Sequence, residues 1–201
     1  MRRLSIVLAL TSFVGAAPAL MADAIPYPNV GTPVPTYTLV AASTGNVSGY
    51  FVGSNAFDTS LIQMFNVTSG TTSLNFFNNH ATGEGAFQSF GSVTAGDTLV
   101  FRLIDITKGI TVSTLASANP DGVSHGYAVG FSGGLLGSTI FPSGIYLGME
   151  DTIGGDYDYN DNQFLFTNVS IASAPEPGSL LLLGTGILGV AGTLRRRMFA
   201  R

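Results

Sequence analysis

Cysteine and tryptophan are absent from the 201 residues, and basic residues are scarce, eight Lys and Arg against twelve Asp and Glu. Without cysteine there is no disulfide, no Cys-ligated zinc, no iron–sulfur cluster and no thiol nucleophile. Six of the eight bases lie at the two ends, Arg2 and Arg3 at one and Arg195, Arg196, Arg197 and Arg201 at the other. Only Arg102 and Lys108 stand between them, so residues 25–177 hold two bases against eleven acids, a formal charge of −9. A surface of that sign repels phosphate backbones, which excludes nucleic acid as a partner. Sustained helical periodicity is also missing between the two ends, as are the Gly-x-Ser-x-Gly, His-Glu-x-x-His, P-loop and dinucleotide fingerprints.

What is present at the ends reads as two addresses. Residues 1–24 have the layout of a secretory signal peptide. Arg2 and Arg3 form the positive start, residues 4–17 an uncharged apolar run, and Ala22-Asp23-Ala24 a small-x-small cleavage site. Cleavage after Ala24 is expected, with Ala19 and Ala22 as the other positions and an uncleaved N-terminal anchor as the alternative. At the other end, Pro175-Glu176-Pro177 precedes an uncharged run, residues 178–194, and then Arg195, Arg196 and Arg197. Seventeen helical residues reach about 25 Å, the short end of a transmembrane span. The Arg cluster beyond it is expected to stay on the cytoplasmic side, which places the preceding domain outside.

The ordered set of Pro-Glu-Pro, a Leu/Gly-rich run and terminal arginines resembles the PEP-CTERM sorting signal of exported bacterial proteins. The resemblance covers residues 175–201 and implies a membrane-embedded processing enzyme, exosortase, as a partner that recognises Pro175, Glu176 and Pro177. It further implies removal of the helix, delivery to the cell surface or extracellular matrix, and association with exopolysaccharide or biofilm. A plain C-terminal anchor is the alternative.

Between the addresses, short β-branched and aromatic runs alternate with Gly, Asn, Asp and Ser punctuation, which predicts an all-β domain over residues 25–173. Ten strands are expected, at 36–42, 49–52, 60–67, 73–77, 86–90, 98–105, 110–115, 126–131, 145–149 and 163–171. Their number and spacing point to a β-sandwich of jelly-roll type, flanked by the signal helix and the single C-terminal transmembrane helix. The last strand changes phase: Phe164 and Phe166 share one face, Val169 and Ile171 the other. A bulge near Asn168, or passage from one sheet to another, would account for this. Residues 25–35 are Pro-rich and expected to be extended.

One stretch of the domain is chemically unusual. Glu150, Asp151, Asp156, Asp158 and Asp161 place five acids within twelve residues. Like charges so close must be solvated, hydrogen-bonded or bridged by a cation. Oxygen donors at alternate positions, Asp156, Asp158 and Asn160, suit calcium. Asp161 at the turn-glycine position and Thr167 at the twelfth exclude an EF-hand. The segment 145–166 resembles the acidic loop of exported bacterial β-domains of the DUF4114 and LruC type, a resemblance that implies an extracellular β-domain without naming a ligand. Two readings stay open: one Ca²⁺ held by Asp156, Asp158 and Asp161 with Glu150 or Asp151, and an Asx-turn network that satisfies itself through backbone N–H groups. Tyr157 and Tyr159 flank the acids and are candidate ligand contacts, because rings stack on sugar C–H faces while carboxylates accept hydroxyl hydrogens.

Catalysis finds little support. The acids lie in one loop, with no second acid motif placed across a cleft as glycoside hydrolysis requires. His80 and His125 fall in separate turn-like segments and are expected to be solvated. The leading expectation is a non-enzymatic exported protein. A calcium-dependent carbohydrate-binding or adhesin module is the alternative, and a matrix-directed hydrolase the third reading.

Overall fold

A computed structural model describes residues 24–172. The signal segment up to Asp23 and the sorting tail from Ser173, including both expected helices, lie outside the described residues. Apart from one 3-10 turn at Ala116–Ala118, the regular secondary structure within them consists of strands. In order these are β1 (Leu39–Ala41), β2 (Gly45–Gly53), β3 (Ser60–Asn66), β4 (Thr71–Thr72), β5 (Phe87–Val93), β6 (Thr98–Asp105) and β7 (Ile110–Ser113). They continue as β8 (Gly126–Phe131), β9 (Gly134–Leu136), β10 (Thr139–Phe141), β11 (Gly144–Met149), β12 (Asn162–Thr167) and β13 (Val169–Ile171).

Two antiparallel sheets form. The first runs β13-β1-β6-β3-β4, with β7 also on β6, and the second runs β5-β2-β12-β11-β8. Alternation explains how they meet. In β3, Ile62 and Met64 turn inward, and in β6 Leu99, Phe101 and Leu103 do; in β12, Phe164 and Phe166 face them, and one buried cluster joins all seven. Phe101 and Phe166 touch across the interface with ring centroids 4.0 Å apart. The other face of the second sheet is covered as well. Val52, Tyr146 and Leu165 pack there under Leu136 and Phe141 of the β9–β10 hairpin.

The strand expected at 163–171 divides at Asn168, whose φ of 61° is left-handed. β12 belongs to the second sheet and β13 to the first, so the phase change marks a crossing between sheets. The Asn168 side chain fixes the crossing, accepting from Ser43 N at 2.8 Å and donating from Nδ2 to Ser43 O at 3.0 Å.

Two expectations fail. Residues 73–77 form no strand. Phe76 makes a single bridge to Ile62 and Phe77 turns left-handed at φ 53°, so the pairing falls instead to β4. The β9–β10 hairpin, in a Gly/Ser-rich stretch, was not expected; its turn is held by Glu84, which accepts from Ser138 N at 2.8 Å and Ser138 Oγ at 2.7 Å. The Pro-rich lead, expected to be extended, turns at residues 28–31, where Thr32 N donates to Asn29 O at 3.0 Å, and it buries Tyr27 and Val34 against Tyr159.

Candidate functional site

The acidic loop joins β11 to β12 at one end of the second sheet, where Met149 and Asn162 make the last ladder pair. Beyond that pair the loop must satisfy its own backbone, and the acids do much of this. Glu150 Oε1 accepts from Tyr159 N at 2.5 Å, Asp161 Oδ2 from Asp151 N at 3.0 Å, and Asp158 Oδ1 from Asn160 N at 3.1 Å. The last bond closes an Asx turn, a contact of the kind that one of the two open sequence readings invoked. Two tyrosines, Tyr157 and Tyr159, adopt left-handed φ values of 52° and 58°, which Tyr seldom does. Space is also tight at Gly155, where a Cβ would stand 2.6 Å from Glu150 Oε2.

Neighbouring segments clasp the loop. Asp161 O accepts from Ala56 N at 3.1 Å and from Ser54 Oγ at 2.5 Å, tying it to the β2–β3 connection. On the other side Gly31 N donates to Asp156 O at 3.0 Å. Between the β2–β3 connection and the loop lies an open cleft of about 580 Å³, bordered by Phe57, Asp58, Lys108, Thr152, Asp156 and five neighbours that include Glu150, Asp151 and Asp161. Lys108, from the β6–β7 turn, spans it. Its ammonium lies 2.5 Å from Asp58 Oδ2 and donates to Thr152 Oγ1 at 2.8 Å.

The five acids divide into two groups. One carboxylate oxygen each from Glu150, Asp156 and Asp158 lies within 4.8 Å of the others, a set of hard oxygens whose spacing fits a calcium ion. Asp161 lies instead with Asp151, its Oδ2 accepting from Asp151 N, so the structure brings Glu150, Asp156 and Asp158 together without it. Each group contains one buried acid, Glu150 in the first and Asp151 in the second. Glu150 is 1% exposed, and desolvation, reinforced by the charges of Asp156 and Asp158, pushes its carboxyl up to about 7. Asp161 is also raised, by burial first and by the adjacent Asp151 and Glu150. Asn160 faces Asp158 within the loop, donating from Nδ2 to Oδ2 at 2.5 Å.

The aromatic expectation needs correction at Tyr159. It is 1% exposed, its Oη accepting from Val34 N at 3.0 Å and donating to Ser124 O at 3.1 Å, so its ring offers no face to a ligand. Tyr157 is half-buried against the same group. The exposed ring beside the acids is Phe57, which together with Asp58 and Lys108 carried no motif that sequence could flag. His125 also departs from expectation. It is fully buried, with Nε2 3.0 Å from Asp121 Oδ2, whereas His80 is exposed.

The tail completes the picture. Residues 173–197 match the family model of the PEP-CTERM protein-sorting motif. The chain carries the sorting tail of an exosortase substrate. The match contains Pro175, Glu176, Pro177, Arg195, Arg196 and Arg197, and begins two residues after β13 ends. Such a tail belongs to an exported precursor anchored in the membrane at its C-terminus before processing. No curated protein and no solved structure matches the chain.

Proposed function

We propose that the chain is a non-enzymatic exported protein of the cell surface or extracellular matrix, associated with exopolysaccharide or biofilm and delivered by exosortase processing of its tail. The observation that carries this is the sorting motif set directly behind the last strand of the β-domain. In this reading residues 1–24 are removed, 25–173 form the working domain and 174–201 the sorting tail, whose helix at 178–194 anchors the precursor. The domain is a β-sandwich wound like a jelly-roll. Pairing of β1 with β13 in one sheet and β2 with β12 in the other supports that winding. The non-enzymatic role is supported by acids engaged in holding backbone N–H groups of their own loop.

Intact mass of the protein recovered from an exosortase-bearing host tests the proposal. Loss of residues 178–201 together with recovery in the surface or matrix fraction is the expected result. A chain that keeps those residues and stays in the inner membrane refutes it.

The grouping of Glu150, Asp156 and Asp158 favours a second reading, a calcium-dependent carbohydrate-binding or adhesin module. These residues would hold the ion and so fix the loop beside the cleft. Melting in millimolar Ca²⁺ against EGTA checks it, because a cation bound only by the folded state must stabilise that state.

A further inference from the structure

We propose that the cleft between the β2–β3 connection and the acidic loop is a subsite for an amine-bearing glycan, with Phe57 as its stacking platform. The proposal rests on the polysaccharide-associated reading above and names the class of sugar. Phe57 is 96% exposed. Isolated surface hydrophobes are ordinary, but two features separate this one.

The first is rigidity. Ala56 N, before the ring, is tied to Asp161 O at 3.1 Å, and the carbonyls of Phe57 and Asp58 each lie 3.1 Å from His80 Nε2. Asn79 Nδ2 donates to Asp58 O at 2.8 Å, and Thr59 N to Thr107 Oγ1 at 2.9 Å. The loop is therefore fixed on both sides of Phe57, and a ligand stacking on the ring need not order the backbone beneath it.

The second is position. The ring borders the cleft, whose lining supplies the Lys108 ammonium as a donor and the Asp156 carboxylate as an acceptor. A pyranose has an apolar C–H face bounded by hydroxyls, so a ring beside mixed donors and acceptors matches its two surfaces. Charge selects among sugars. Five acidic side chains line the cleft against one ammonium; burial raises Glu150 and Asp161 among them, and the ammonium is already paired with Asp58 at 2.5 Å. The resulting field attracts a protonated amino sugar and repels a uronate, and a cation near the Phe57 face gains from the ring as well.

Isothermal titration of the full chain in detergent, with hexamers of glucosamine, N-acetylglucosamine and galacturonate as probes, tests this. The glucosamine hexamer should bind at least about tenfold more tightly than the other two. Phe57→Ala should weaken it about tenfold and Phe57→Tyr less than about twofold, a contrast that charge alone would not produce. The exposed ring makes both variants fold as the parent does, which equal melting temperatures verify. No binding of the glucosamine hexamer, equal binding of the galacturonate hexamer, or parental affinity in Phe57→Ala would each overturn the proposal. Export and tail removal are read from mass and fractionation, so their failure and the failure of this site are separate results.

Discussion

Tyr159 turns left-handed at φ 58° and points its backbone N–H at Glu150 Oε1, 2.5 Å away, across the neck of the acidic loop. The carboxylate thus acts where the β11–β12 ladder has ended, one residue beyond Met149. Holding a charge there is costly, because Glu150 is buried and Asp156 and Asp158 lie beside it. Burial and neighbouring charge together explain why its carboxyl is pushed up to about 7.

A carboxyl raised in this way makes the domain most stable in mild acid when no divalent cation is present. The unfolded carboxyl releases its proton near the ordinary 4.5 and the folded one near 7, so between these values the folded state holds the extra proton. Stability therefore falls as pH rises through that window, by up to about 1.4 kcal/mol for each pH unit crossed. Asp161, raised for the same reason, acts in the same direction. Denaturant titrations in EGTA at about pH 5 and about pH 8 should show the loss, and Glu150→Gln, which keeps the acceptor for Tyr159 N, should reduce it to the part that Asp161 contributes. A parent more stable at the higher pH contradicts the assignment.

Local pattern reached some of this architecture and missed what depends on distant chain segments. Alternation in Thr98–Asp105 and the phase change at Asn168 were legible because each reports which face of a strand meets the core. Acid density marked the loop, but which of its acids closes an Asx turn, Asp158 on Asn160 N, was not legible. Regrouping of the acids around Glu150 was not legible, since it depends on how the 150–161 loop folds back on itself. Tyr159 misled for a related reason: its ring is buried by Tyr27 and Val34, more than a hundred residues earlier. Phe57 escaped notice because one aromatic in a turn has no pattern.

Tyr159→Phe isolates that long-range contact. The hydroxyl accepts from Val34 N and donates to Ser124 O, both buried bonds. Removing it leaves a backbone donor and a carbonyl without that partner, at a cost of about 1–3 kcal/mol. The melting temperature should drop, and limited proteolysis within residues 26–34 should accelerate as the Pro-rich lead loosens. Unchanged cleavage with a lower melting temperature would show that the lead is held elsewhere.

Gly148→Ala should be among the costlier small substitutions in the domain. A Cβ there would meet the Tyr159 carbonyl oxygen at 2.2 Å, a backbone atom that cannot swing aside. Relief requires the loop to move off β11, costing about 1–3 kcal/mol or more. Gly130→Ala in β8, where nothing lies within 4 Å of the added methyl, is the control and should change stability little. Equal melting temperatures for the two variants would disprove the close approach.

Calcium distinguishes the grouping seen in the fold from the one expected in the sequence. With Glu150, Asp156 and Asp158 as ligands, Ca²⁺ at a hundredfold excess over its dissociation constant adds about 2.7 kcal/mol to the folded state. Asp156→Asn and Asp158→Asn should each abolish most of the difference in melting temperature between Ca²⁺ and EGTA. Asp161→Asn should keep it, because that side chain accepts from Asp151 N, a role an amide oxygen also fills. Loss of the difference in Asp161→Asn would restore the sequence-based set. A parent that melts at the same temperature in both would mean that the carboxylates hold the loop through backbone N–H groups alone.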